Sequence, residues 1–218
     1  MTKNTCKEMV TEFHHLNGSV IDAVDPGPEV AVVRTRLMIE EFAETYIALH
    51  QDDVIEAADG LADLLYVIYG TAVAYGVDCP DVFQEPRRAP VEAFNRGNVL
   101  QFARAGVRVL ARVCDVVATT PAASSEALTG LAIEVCAFGA ACGFPMRELF
   151  EEVQASNMTK TFSPATNTAG GKYGAGVNPK GPGYRPPDIA AVLEKARESF
   201  ARGSTSMHQT GQVRPEGA

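Results

Sequence analysis

The sequence predicts an all-α protein. Apolar residues recur at helical spacing over long stretches, strand-like alternation is scarce, and capping or terminating residues fall at the ends of the periodic segments. The first helix is expected over Cys6 to Leu16, where Met9, Val10, Phe13 and Leu16 stand at near-helical spacing. Asn17-Gly18 and Asp25-Pro26-Gly27-Pro28 make the next stretch a loop. The second helix begins near Pro28-Glu29, where proline suits a first turn and glutamate the positive end of the helix dipole, and runs to about His50. Asp52 is a good N-cap for the third helix and Gly76 a good terminator. The short joint between these two helices predicts an antiparallel hairpin.

Glu85-Pro86-Arg87-Arg88-Ala89-Pro90 then breaks the chain. Two helical stretches follow, from about Pro90 to Ala118 and from Ser124 to Cys142, separated at Thr119-Thr120-Pro121. Gly143 and Pro145 turn the chain into a short helix, Met146 to Ala155. From Val153 to Pro187 there is no Asp or Glu, and glycine and proline are dense, so an irregular arm is expected. Asp188 caps a last helix from Ile189 to about Arg202, and the composition from Gly203 onward reads as a disordered tail. One internal echo stands out: Tyr75-Gly76 through Phe83 resembles Cys142-Gly143 through Phe150, each a helix end, a glycine and a short new helix. A common way of ending one helix and starting another explains it better than duplication.

Composition sets further bounds. The 218 residues, 46% hydrophobic and 21% charged, suit a globular chain with a real core. The net charge of −8 argues against a broad nucleic-acid or anionic-membrane surface. The five cysteines have irregular spacings and no Cys-x-x-Cys pair, so neither a zinc site nor a disulfide framework is indicated. Reduced thiols, a polar N-terminus without a signal peptide and the lack of a long apolar run predict a cytoplasmic protein.

Two acidic clusters lie on the second and third helices: Glu40-Glu41-x-x-Glu44 and Glu56-x-x-Asp59-x-x-x-Asp63. With about 100° per residue, Glu40, Glu41 and Glu44 share one arc with Val33, Leu37 and Ala48. Glu56, Asp59 and Asp63 share another with Val67, Gly70 and Ala74. A solvated face is the plain alternative. Against it, few basic residues stand four positions away, and Leu64-Leu65-Tyr66-Val67-Ile68-Tyr69 is apolar nearly all round. Crowded carboxylates raise each other's pKa unless a cation joins them, and oxygen ligands in this number suit Mg²⁺ or Mn²⁺. Lys160, Lys172, Lys180 and Arg185 are the charges of the acid-free arm and are candidates for binding phosphate.

Glu-Glu-x-x-Glu on one helix and Asp59-Gly-Leu-Ala-Asp63-Leu-Leu-Tyr-Val on the next resemble the MazG-type and phosphoribosyl-ATP-pyrophosphohydrolase-like enzymes. Asn157-Met158-Thr159-Lys160 and Lys180-Gly181-Pro182-Gly183-Tyr184-Arg185-Pro186-Pro187 are similar to later stretches of phage and bacterial members. The resemblance spans about 29–76 and 143–190. It implies an all-α bundle that hydrolyses a (deoxy)nucleoside triphosphate to the monophosphate and pyrophosphate with Mg²⁺ or Mn²⁺. Glu41, Glu44, Asp59, Asp63, Glu40 and Glu56 would be metal ligands, and Glu40 or Glu41 would orient the attacking water. Asn157, Tyr66 and Tyr184 would touch substrate. One departure is plain: where the family usually has glutamate three residues before Asp63, this chain has Gly60, so Glu56 and Asp59 are both candidates to replace it.

The resemblance also implies a homodimer or homotetramer. It divides the chain into a catalytic unit over 1–160 with an inserted helical pair over 87–142, an arm and helix over 161–202, and a tail over 203–218. The arm motif and the Ala-, Val- and Arg-rich composition resemble a phage-type or high-GC bacterial member, and the phage MazZ type, which acts on dGTP, is one specific case of these. Hydrolysis of dUTP or phosphoribosyl-ATP, and a metal-stabilised helical interaction protein, are the alternatives. The base pocket is expected from the first helix, the loop before Glu29 and the helix carrying Tyr66. His14 and His15 are expected on the surface, and Tyr66, Tyr69 and Tyr75 in the core.

Overall fold

Val54–Tyr75 is apolar on almost every side, and the rest of the chain is arranged to cover it. The computed structural model describes residues 5–23, 27–119, 124–160 and 180–209, with side chains to Arg202. Among them are seven helices and no strand: α1 (Cys6–Asn17), α2 (Gly27–Gln51), α3 (Val54–Tyr75), α4 (Arg96–Thr119), α5 (Ser124–Ala141), α6 (Met146–Asn157) and α7 (Ile189–Gln209). α3 touches α1, α2, α5, α6 and α7. By length and composition alone it could span a bilayer, but its neighbours bury it, as for the core helix of a folded bundle.

The α2–α3 hairpin forms as expected and positions the acidic residues. Asp53 is the N-cap of α3, its carboxylate accepting the Glu56 amide at 3.1 Å. The sequence pointed to Asp52 instead. That residue adopts φ +62° in the turn, and its carboxylate accepts the Phe94 amide at 2.6 Å. Gly76 ends α3 in the left-handed conformation at φ 62°, as predicted. Just past α1, the amides of Asp22 and Ala23 donate to the carbonyls of Val73 and Ala74. That clasp holds the α1–α2 loop over the end of α3.

α2 and α3 come closest at Gly60. A Cβ there would lie 2.6 Å from Thr45 Oγ1 and 3.1 Å from Thr45 Cα. The departure from the family motif at this position thus has a packing cause, since the helices meet too closely for a glutamate. α4 packs on α2 with the Phe42 and Phe102 rings stacked at 5.2 Å, and α5 packs on α3.

Other boundaries differ from the sequence reading. α4 starts at Arg96, not near Pro90, because the Val91 amide bonds the Cys142 carbonyl at 2.9 Å and keeps that segment extended. Asn95 then accepts the Asn98 amide at 2.9 Å in the first turn. α7 is capped by Asp188, whose carboxylate accepts the Ala191 amide at 3.0 Å. It runs on to Gln209, so 203–209 are helix and not tail, while 210–218 lie outside the described residues. The internal echo reduces to its glycines. Gly76 and Gly143 share a left-handed backbone, but no helix follows Gly76, where the Tyr69 hydroxyl bonds the Pro80 carbonyl at 3.1 Å. Tyr66, Tyr69 and Tyr75 are buried, as expected, and all five cysteines are free thiols.

The contact at Gly60 predicts that Gly60→Ala lowers stability by about 1–3 kcal/mol, the usual cost of overpacking. Adding Thr45→Ala, which removes the nearest atom, should restore part of it. Urea melts of the three variants check this, and an unchanged midpoint in Gly60→Ala would show the helices to be further apart.

Candidate active site

Two helices present carboxylates to one space. A cavity of about 830 Å³ opens between α1, the loop after it, the first half of α2, and α3. Glu41 of α2 and Asp63 of α3 line it, with Tyr66, Asn157 and Lys160 beside them. Phe13, His14 and Val20, from α1 and its loop, also line it, and these are the elements from which a base pocket was expected.

The electrostatics show which carboxylates meet. Burial, then the Asp63 charge, then Glu44, Glu40 and Asp59 push the Glu41 pKa well above the usual carboxylate range. Burial and then Asp59 push Asp63 up as well, while Lys160 and Lys180 oppose the shift. Asp59 is pushed up to about 6 by burial and Glu56, again opposed by Lys180 and Lys160. Glu41, Asp63, Asp59 and Glu44 are therefore one repelling group, with two lysines as the nearest relief. Asp59 Oδ1 is buried with no hydrogen-bond partner.

The remaining predicted residues divide. Glu44 and Glu56 are exposed, and neither lines the cavity. Glu40 pairs with Arg36 at 3.5 Å, an i, i+4 bridge that the sequence reading had underweighted. The Tyr66 hydroxyl donates to Gln154 Oε1 at 2.5 Å, and Asn157 is buried. Lys180 Nζ sits 5.1 Å over the Tyr184 ring, and neither residue lines the cavity. Arg185 is committed elsewhere: its guanidinium bonds Glu152 at 2.5 Å, its amide donates to Thr159 Oγ1 and its carbonyl accepts from Ser156. This straps 180–188 to α6. Lys172 lies outside the described residues, as do 161–179 of the expected arm.

Two residues with claims on the site were missed. His14, expected at the surface, is buried. Its Nδ1–H donates to the Val20 carbonyl at 2.9 Å, and its Nε2 accepts from Arg34 Nη2 at 3.3 Å. Desolvation and then the Arg34 charge hold its pKa down to about 4, so the ring is neutral. Arg34, which lines the same cavity, is the second. Its position, seven residues before Glu41 and so on the same face of α2, was the available signal.

Among the described residues no three His, Cys, Asp or Glu side chains converge into a ready-made ligand set. The donor set nonetheless fits a hard divalent cation in chemistry. It is all oxygen, its members repel one another, and Asp59 Oδ1 lacks a partner.

Residues 10–89 match the phosphoribosyl-ATP pyrophosphohydrolase family. That span runs from α1 through α3 and holds all six acidic candidates, and the all-α fold agrees with the family's. The α4–α5 pair, Asn157 and Lys160 lie beyond it. Over 108 residues the chain is 26% identical to an uncharacterized protein of Acanthamoeba polyphaga mimivirus, covering 47% of this chain and 41% of that protein. The chain thus spans about two fifths of that relative's length. No solved structure matches it.

Raised folded-state carboxylate pKa values have a signed consequence. Each such group's favourable contribution is complete below its unfolded pKa and is lost as pH rises through its folded pKa, about 6 for Asp59. In metal-free protein, Asp63→Asn should therefore raise the melting temperature at pH 8, by roughly 2–4 °C per kcal/mol of repulsion relieved. The difference should shrink at pH 4. Thermal melts in chelator check it, and a lower melting temperature for the variant at pH 8 would contradict it.

Proposed function

We propose that the protein hydrolyses a nucleoside triphosphate to the monophosphate and pyrophosphate in a reaction that requires a divalent cation. The observation that carries this is the meeting of Glu41 and Asp63 on the wall of one cavity, inside the segment that matches the pyrophosphohydrolase family. Glu41, Glu44, Asp59 and Asp63 would hold Mg²⁺ or Mn²⁺, with Glu40 and Glu56 at the margin. When bound, such an ion neutralises phosphate charge and activates a water for attack at the α-phosphorus.

The chain's own residues supply the rest. Glu41 faces the cavity, where a carboxylate oxygen not taken by the cation would accept the water's proton. Glu40 is less suited, because Arg36 engages it. Lys160 lines the same cavity and would neutralise phosphate oxygens, with Lys180 close enough to act on the same carboxylates. Asn157 and Tyr66 would position the substrate beside them. Arg185 would act through the strap to Glu152, and Tyr184 through Lys180.

Guanine nucleotides of the phage MazZ type are the substrate we favour, and the cytoplasm, or the host cytoplasm for a phage-encoded chain, is the matching location. A homodimer or homotetramer would cover the outer face of α2, where Val32, Ile39, Tyr46 and Ile47 are exposed. Phosphoribosyl-ATP is the second reading, favoured by the family that residues 10–89 match.

The test is a panel of ribo- and deoxynucleoside triphosphates and phosphoribosyl-ATP with Mg²⁺ or Mn²⁺, read for pyrophosphate against orthophosphate. Pyrophosphate release that stops with chelator is expected. Metal-dependent stabilisation without turnover of any substrate would make the protein a scaffold. In the same assay Glu41→Gln and Asp63→Asn should each lose orders of magnitude, with the double variant little worse than either, because such groups act as a unit. Asp59→Asn should cost more than Glu56→Gln, since only Asp59 has a buried, unpartnered oxygen. Lys160→Ala should raise KM or lower kcat, and unchanged values for both would remove it from the site.

A further inference from the structure

Arg34 carries a positive charge into the cavity wall, and among the described residues no carboxylate bonds it. Among the described residues its hydrogen-bond partner is neutral His14. Among the described residues the charge that helps hold its proton is that of Tyr75, a phenol that burial keeps protonated at neutral pH. Desolvation lowers the guanidinium pKa to about 10. A buried cation without an anion is costly, and groups left in that condition commonly await a ligand.

Its position defines which part of a ligand it would meet. Arg34 lies seven residues before Glu41 on α2, and Gly70 lies seven residues after Asp63 on α3. Seven residues of helix are about 10 Å, so both helices place this end of the cavity two turns from the carboxylates. A Cβ on Gly70 would lie 3.0 Å from Arg34 Nη1 and 3.2 Å from His14 Nε2, so this glycine makes room for the pair against α3. His14 fixes the fork. Its Nδ1–H is spent on Val20, which leaves Nε2 to accept from Nη2 and hold the guanidinium plane. Phe13, Val30, Val33 and Val67 supply apolar surface around it.

We infer that Arg34, held by His14, reads the nucleobase, and that it selects a base with two adjacent hydrogen-bond acceptors, the O6 and N7 edge of guanine. This rests on the nucleotide reading above. A guanidinium offers only donors. Adenine presents N7 beside the donor N6 amine, which the fork repels, whereas guanine presents two acceptors that it pairs in bidentate fashion. The phosphates are served two turns away by the carboxylates and Lys160, which leaves the base for this end.

The full chain tests it with Mg²⁺ and four substrates: dGTP, dITP, dATP and 7-deaza-dGTP. dGTP should exceed dATP in kcat/KM by about 10- to 100-fold, the usual discrimination of one bidentate pair. dITP, which keeps O6 and N7, should stay close to dGTP, and 7-deaza-dGTP, which lacks N7, should fall. Arg34→Gln should bring the dGTP-to-dATP ratio close to one. Arg34→Lys keeps the charge but not the fork, and should lose most of the ratio too, which covers the case that Arg34→Gln fails to fold. Calorimetric binding of dGMP against dAMP needs no turnover and should show the same preference and the same loss. If no triphosphate is hydrolysed, the pyrophosphohydrolase reading fails and the monophosphate binding alone decides the role of Arg34. Equal use or binding of the two bases by the native chain, no binding of either monophosphate, or a variant that weakens both bases alike with the ratio intact, overturns the inference.

Discussion

Repulsion between carboxylates that the fold forces together is the constraint on which the rest depends. Glu41 and Asp63 belong to different helices; the Asp63 charge raises the pKa of Glu41, and Asp59 and Glu44 raise that of Asp63. They are held near each other because α2 and α3 close tightly at Thr45 and Gly60, one turn away from each of them. Everything that stabilises the hairpin, from the apolar surface of α3 to the Asp53 cap, therefore also sustains the crowding. A protein with no use for that charge density would relieve it with an arginine or by turning a side chain outward. Here Arg36 takes Glu40, and the two lysines come from beyond the hairpin, at residues 160 and 180.

Much of this was legible in the sequence, for identifiable reasons. Helical period and caps located all seven helices, because α3 is apolar all round and Gly76 and Asp188 are strong local signals. The arcs of the acidic residues placed Glu41 and Asp63 together, because spacing on a helix fixes direction. What was not legible depended on contacts distant in sequence. Nothing local says that Val91 will bond Cys142 and delay α4, or that Glu152 will take Arg185 and make a strap of a segment read as free charge. Asp52 and Asp53 are equally good caps by composition, and the turn geometry chose between them.

His14 and Arg34 illustrate the same limit. A histidine next to another histidine at the end of a short helix reads as surface, and an arginine before three glutamates reads as their counter-ion. Only the folding of the α1–α2 loop over α3, through the amides of Asp22 and Ala23, buries His14 and brings it and Arg34 to one cavity. The cavity consequently has two characters: crowded acid with lysine at one end, and the Arg34 cation beside the apolar side chains of Phe13, Val30, Val33 and Val67 at the other. A molecule with a polyanionic end and a flat polar base would complement both, through a bridging cation at the first and directly at the second.

The central claim is that the α2–α3 carboxylates form one cation site. Mn²⁺ binding followed by electron paramagnetic resonance at pH 8, on the native chain and on Asp63→Asn, tests it most directly because it requires neither substrate nor turnover. The account predicts saturable binding by the native chain and a loss of at least tenfold in affinity in the variant, which is about 1.4 kcal/mol or more. Absence of saturable binding in the native chain, or equal affinity in the two proteins, would contradict it.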